Sequence, residues 1–104
     1  MENEFKEIKL IRSNQRALAF MGRSVAFATT RQNNSSDWTN VSVFETDKGV
    51  FVMGAALISR KQGAVDQYFT EIFQTAEEVV NHVEENFPEV ADEISHRLGV
   101  VERI

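Results

Sequence analysis

The chain has 104 residues, of which 42% are apolar and 26% charged, with a formal net charge of −5 and no cysteine. These values predict a single globular domain over residues 1–104, and they exclude disulfides, thiolate metal ligands and a cysteine nucleophile. No apolar run approaches the roughly 20 residues of a membrane-spanning helix, and the charged N-terminal stretch lacks the apolar centre of a signal peptide. We therefore expect a cytoplasmic protein with no membrane partner.

The first third of the chain predicts three strands. Alternating apolar residues over 5–12 indicate a strand, and residues 13–15 have the composition of a turn. Residues 17–21 and 25–30 flank Gly22, so we interpret them as two strands joined by a turn. Four alanines should share one face of this hairpin: Ala17, Ala19, Ala26 and Ala28. We expect that face to pack against the chain's own helices, with a shallow ligand floor as the alternative.

The most apolar part of the chain, residues 38–60, predicts two strands joined at Asp47, Lys48 and Gly49. A polar loop precedes these two strands. Gly49 suits a tight turn between them because glycine adopts positive φ without steric cost. The second of these strands is apolar at both parities, as expected for a central strand covered on both faces. Residues 67–73 predict a sixth strand.

The apolar period then changes from 2 to 3.6, which predicts two helices at about 75–87 and 88–98. Thr75 and Glu78 have the spacing of a capping box at the start of the first helix. Pro88 ends that helix and suits the first turn of the second. Gly99 suits the end of the second helix, and residues 100–104 are expected to dock as a tail.

The predicted fold class is α+β: a six-stranded antiparallel meander sheet, flat or curved, followed by two C-terminal helices packed on one face. Two short helices cover only one face of such a sheet. The second face must then be covered by curling of the sheet or by another chain. We expect a homodimer, the commonest symmetric assembly, with contacts on the sheet face that bears Phe20, Phe27 and Phe44, or with the opposite face as the alternative.

Charge is distributed unevenly along the chain. Residues 1–70 contain nine Lys or Arg against seven Asp or Glu, whereas residues 71–104 contain two against nine. We expect a non-catalytic protein that binds a basic protein surface through its acidic helices, in a regulatory or inhibitory role. The candidate residues for this contact are Glu77, Glu78, Glu84, Glu85, Glu89, Asp92 and Glu93.

Single-stranded nucleic-acid binding is the first alternative. Basic side chains lie in or beside the predicted turns, and aromatic residues of the sheet could stack on bases. The basic candidates are Arg12, Arg16, Arg23, Arg31, Arg60 and Lys61, and Trp38 is among the aromatic ones. The overall negative charge makes nucleic acid the less favoured partner.

Catalysis has the least support. His82 and His96 fall on the polar sides of the predicted helices, and the sequence has no nucleophile elbow or glycine-rich phosphate loop. Glu78–His82 and Asp92–His96 have the i, i+4 spacing of helical metal sites, but solvated helices commonly show the same spacing. We therefore predict no catalytic residue, no metal and no cofactor, and keep a small enzyme or ligand carrier as a further alternative.

Overall fold

Five antiparallel strands form one sheet, and two helices follow them. In the computed structural model, which describes residues 4–101, the strands pair in chain order. The elements are β1 (Lys6–Leu10), β2 (Leu18–Thr29), β3 (Asp37–Thr46), β4 (Phe51–Ser59), β5 (Gln67–Phe73), α1 (Ala76–Asn86) and α2 (Pro88–Leu98). This confirms the predicted α+β class, with an antiparallel sheet followed by two C-terminal helices.

The predicted number of six strands is wrong, because the two strands predicted at 17–21 and 25–30 are parts of one long strand, β2, which spans Leu18–Thr29. β2 continues through Gly22 without a turn, and it pairs with β1 on one side and β3 on the other. Gly22 permits close packing instead of a turn. A Cβ at this position would lie 2.7 Å from Phe20 Cε2 and 3.0 Å from the carbonyl oxygen of Glu45.

A β-bulge in β2 decides which of its side chains face the helices. The register with β3 shifts between Ser24 and Ala26, and a bulge of this kind inserts one extra residue into the strand. Side chains beyond the bulge therefore change face. Phe27 joins Phe20 on one face, and Ala26 and Ala28 lie on the other, as predicted from the sequence for a different reason.

The connection between β3 and β4 is the tight turn that the sequence predicts. Gly49 has a φ of +82°. The hydroxyl of the buried Thr46 accepts hydrogen bonds from the backbone N–H groups of Lys48 and Val50, at 3.3 and 3.2 Å. These bonds fix the turn and satisfy a buried polar group that would otherwise be costly.

The ends of both helices follow the sequence signals. Thr75 Oγ1 accepts from the Glu78 N–H at 3.1 Å, and Glu78 Oε1 accepts from the Thr75 N–H at 3.2 Å. Gly99 ends α2 with a φ of +72°. Within residues 4–101, no helix is long and apolar enough to cross a membrane. Of the tail predicted over 100–104, residues 102–104 lie outside the described part of the chain.

The helices pack on one face of the sheet, as predicted, and the core lies between the two layers. Its buried members are Ala26, Ala28, Val41, Val43, Met53, Ala55, Val79, Val83, Val90, Ala91 and Ile94. Alanines of β2 lie under α2, where short side chains permit close approach of the two backbones. Ala26 and Ala28 are thus covered by the chain's own helices, whereas Ala17 and Ala19 are exposed.

The opposite face of the sheet, which we call the concave face, curls over itself. The Ser13 N–H donates to the Tyr68 carbonyl oxygen at 3.0 Å, and Ser13 Oγ accepts from the Tyr68 N–H at 2.9 Å. These bonds join the β1–β2 loop to β5, although the two lie at opposite ends of the strand order. The side chain of Leu10 also reaches Gly54 of β4. Curling of the sheet therefore covers part of the face that we expected a second copy of the chain to cover.

Candidate functional site

The exposed sides of α1 and α2 carry seven carboxylates, which we call the acidic helical surface. Two have partners within the chain: Glu78 caps α1, and Glu93 Oε2 lies 3.1 Å from Arg97 Nε. The other five make no ion pair and no side-chain hydrogen bond within residues 4–101: Glu77, Glu84, Glu85, Glu89 and Asp92. Most of the predicted acidic candidates are therefore exposed and uncompensated.

Two of these carboxylates lie where their own helix disfavours them. Glu84 and Glu85 are in the last turn of α1, which contains no basic residue. Unpaired carbonyl groups make a helix C-terminus partially negative, so each carboxylate there costs about 0.3–1 kcal/mol at low ionic strength. Glu77 and Glu89, in contrast, lie in first turns, where the helix dipole favours negative charge.

A tight corner between the helices brings the acidic helical surface to one end of the sheet. Phe87 ends α1 and Pro88 begins α2, so no loop separates the two helices. Glu89 lines a depression of about 380 Å³ together with Trp38 and Asp37 at the start of β3. The acidic helical surface therefore continues to the edge of the β2–β3 loop.

Carboxylates neutralise two of the six predicted basic candidates. Arg23 Nη2 lies 2.7 Å from Glu45 Oε1, and Lys61 Nζ lies 2.8 Å from Asp37 Oδ2. The hydrogen bond from Lys61, followed by one from Ser59 Oγ, lowers the pKa of Asp37 below its ordinary value. The same contact with Asp37 raises the pKa of Lys61.

Two other basic candidates, Arg31 and Arg60, both lie against Trp38. Their guanidinium carbons are 4.3 and 5.3 Å from the centre of the indole ring. Trp38 is only 7% exposed, so its ring is not open for a base to stack on. The remaining two basic candidates, Arg12 and Arg16, lie in the β1–β2 loop. There Arg12 Nε donates to the carbonyl oxygen of Arg16 at 2.8 Å.

The three predicted dimer contacts differ in exposure. Phe20 and Phe44 are half-buried and pack edge to face, with ring centres 5.7 Å apart. Phe27 is 46% exposed and lines a groove of about 270 Å³ on the concave face. Ile11 and Phe69 border this concave groove, but Phe69 pairs with Ala55 of the core, so its side chain lies on the helix face of the sheet. The open part of the concave face is thus centred on Phe27.

The helical histidine–carboxylate pairs are not arranged as metal ligands. Glu78 is engaged in the cap of α1, and the His82 ring lies 5.2 Å from the Phe73 ring and 6.4 Å from the Phe87 ring. His96 is exposed near the end of α2. Within the described residues, no three carboxylate or histidine side chains come together in a geometry that could hold a metal ion.

Sequence reasoning missed two arrangements. Trp38 pairs with Ile58 across β3 and β4, and this register brings Arg60 to the indole. The basic residues on either side of these strand ends were a usable signal. The concave groove had no such signal, because it forms only when β1 curls over β4.

Comparisons with protein families, curated proteins and solved structures returned no match for this chain, so function is inferred from its own geometry.

Proposed function

We propose that the protein is a non-catalytic binding protein whose acidic helical surface docks on a basic surface of another protein. The observation that carries this proposal is the placement of Glu84 and Glu85. Both lie at the disfavoured end of α1, and neither has a cationic partner within residues 4–101. A partner's lysines and arginines would supply the missing compensation.

Functional surfaces commonly carry residues that lower the stability of the folded chain. A charge that its own helix disfavours, with no partner in the chain to offset it, is expected at a binding site, where stability is exchanged for activity. Complementary charge across an interface accelerates association and selects the partner. Glu77, Glu89 and Asp92 extend the same unpaired negative charge over both helices, so the contact spans more than one helix end.

We also propose that the protein is a homodimer in the cytoplasm and that the second copy covers the concave groove. Phe27 is an exposed apolar residue, and it lines this groove together with the half-buried Leu10 and Ala56. A contiguous apolar patch of this kind is typical of an interface. The groove lies on the face opposite the helices, so dimer formation leaves the acidic helical surface free.

The docking proposal is tested with a fluorescently labelled, arginine- and lysine-rich peptide as a model basic surface. The test variant replaces Glu84, Glu85 and Glu89 with glutamine. The matched control makes the same change of net charge outside the two helices, with Glu7→Gln, Asp47→Asn and Glu71→Gln at exposed positions. Fluorescence anisotropy gives the affinity of each protein over a range of salt concentrations.

We expect the helical triple variant to bind the peptide about tenfold more weakly than the control variant at physiological ionic strength. Equal losses in the two variants would show that net charge, and not the helical surface, controls binding. That result would contradict the proposal. Circular dichroism of both variants establishes that the comparison is between folded proteins.

A further inference from the structure

A polar depression of about 510 Å³ lies between the β2–β3 loop and the end of β4. Arg31 and Arg60 line it, together with Thr29 at the end of β2 and four uncharged polar residues of the loop: Gln32, Asn33, Asn34 and Ser35. Within the described residues, no carboxylate lines this depression. The surface is therefore positive and rich in hydrogen-bond donors, although the protein as a whole is acidic.

The two guanidinium groups of this depression contact one indole ring and have no counter-ion within the described residues. Neither the Arg31 nor the Arg60 guanidinium group makes an ion pair or a hydrogen bond within residues 4–101. Contact with the negative face of the aromatic ring stabilises each cation and offsets part of any repulsion between them. Asp37, the carboxylate closest to Trp38 in the chain, is occupied by Lys61 and Ser59.

Hydrogen bonds fix the backbone on both sides of the depression before any ligand arrives. The Arg60 N–H donates to the Ser36 carbonyl oxygen at 2.8 Å and ties the end of β4 to the loop. Within the loop, the Gln32 N–H donates to Ser35 Oγ at 2.8 Å, and the Ser35 N–H donates to the Gln32 carbonyl oxygen at 3.0 Å. The arginines therefore project from a constrained frame, which lowers the entropic cost of ligand binding.

We propose that this depression binds the phosphate group of a small phosphate ester. Guanidinium groups match phosphate oxygens in bidentate geometry, and two of them would neutralise a phosphate dianion. Ser35 and the amides of Asn33 and Asn34 are available to donate to the remaining oxygens. The volume exceeds that of a phosphate ion and falls in the range of small-molecule sites, so it also has room for the esterified group.

The distribution of charge favours one phosphate over a nucleic-acid strand. Strand binding needs a track of unpaired cations along the backbone. Here Arg23 and Lys61 are paired with carboxylates. Glu89 and Asp37 line the adjacent depression on the other side of Trp38, so a long polyanion would meet negative charge there.

The only tryptophan of the chain, Trp38, contacts both arginines of this site, so its fluorescence responds to a ligand that they bind. Its fluorescence is titrated with adenosine 5′-monophosphate as the test ester, with adenosine as the ligand without phosphate, and with inorganic phosphate. A dT oligonucleotide of about 12 residues tests the strand alternative. The variants are Arg31→Gln and Arg60→Gln, with Arg16→Gln as the control because Arg16 is exposed and lies in a different loop.

We expect saturable binding of the nucleotide, at least about tenfold tighter than that of adenosine. Arg31→Gln and Arg60→Gln should each weaken it by about 10- to 100-fold, and Arg16→Gln should leave it unchanged. Inorganic phosphate that binds as tightly as the nucleotide would support the phosphate site and identify the free ion as its ligand.

Three results would overturn the proposal. The first is an equal response to the nucleotide and to adenosine in the wild type, which is decisive even if a variant fails to fold. The second is an affinity of folded Arg31→Gln within about twofold of the control. The third is oligonucleotide binding much tighter than nucleotide binding and strongly dependent on salt, which would assign the arginines to a nucleic-acid strand.

Discussion

The side chain of Leu10 in β1 lies over Gly54 in β4, although β2 and β3 separate these two strands in the sheet. A Cβ added at Gly54 would be 3.3 Å from Leu10 Cδ1. This closeness is possible only because the sheet curls, and it covers part of the face that the helices leave open. The concave groove is what remains exposed.

The first prediction concerns this contact. Gly54→Val should lower the free energy of unfolding by about 1–3 kcal/mol, because its methyl groups need the space that Leu10 occupies. The better strand propensity of valine offsets less than about 1 kcal/mol. Urea denaturation measures the change. The double variant with Leu10→Ala and Gly54→Val should lose less free energy of unfolding than the sum of the losses in the two single variants. A loss equal to that sum would contradict the contact.

The second prediction concerns the end of α1. Glu84→Gln together with Glu85→Gln should raise the free energy of unfolding by about 0.5–2 kcal/mol at low ionic strength, because both carboxylates lie at the negative end of the helix dipole. Glu77→Gln, at the opposite end, should lower it by about 0.3–1 kcal/mol. Thermal unfolding in low and high salt measures both effects, and salt should reduce both. A stabilising Glu77→Gln would contradict the account.

The third prediction is a pH effect at Asp37. Its pKa is lowered in the folded protein, mainly by the hydrogen bond from Lys61. The contact therefore contributes stability above the unfolded pKa of about 4, and this contribution is lost as the pH falls through the lower folded value. NMR titration of the Asp37 carboxyl group should show a higher pKa in Lys61→Gln than in Lys48→Gln, which removes the same charge elsewhere. Identical values would mean that Lys61 has no influence.

The fourth prediction is the oligomeric state. Light scattering should give the mass of a dimer for the wild type and of a folded monomer for Phe27→Glu, since a charge in the concave groove would be buried by the second copy. Met21→Glu is the matched control, because Met21 is similarly exposed, at 43%, and does not line the groove. A monomeric wild type would show that curling alone closes the concave face.

The features that could be predicted from the sequence depend on neighbours in the chain. The capping box at Thr75 and Glu78 and the helix end at Gly99 are local signals, and the structure contains them. The turn at Gly49 is also a local feature, because it depends on the positive φ of a single residue. The acidic helical surface is equally local, since the 3.6-residue period alone places its members opposite the core.

The features that could not be predicted depend on contacts between distant residues. Gly22 resembles a turn glycine in the sequence, but the Phe20 ring and a carbonyl of β3 are what exclude a side chain there. The curl over Gly54 and the convergence of Arg31 and Arg60 on Trp38 arise from strand register and sheet twist. One-dimensional patterns contain neither quantity. The concave groove therefore emerges only from the structure, and the sequence indicates the basic residues at these strand ends without showing that two of them meet at Trp38.

The docking of a basic surface on the acidic helices is tested most directly by mapping amide chemical-shift changes when the arginine- and lysine-rich peptide is added to the isotopically labelled protein. We predict that the largest changes occur in the last turn of α1 and the first turn of α2, around Glu84, Glu85 and Glu89. Changes spread evenly over all acidic positions, or concentrated at Glu7, Asp47 or Glu71, would contradict the proposed function.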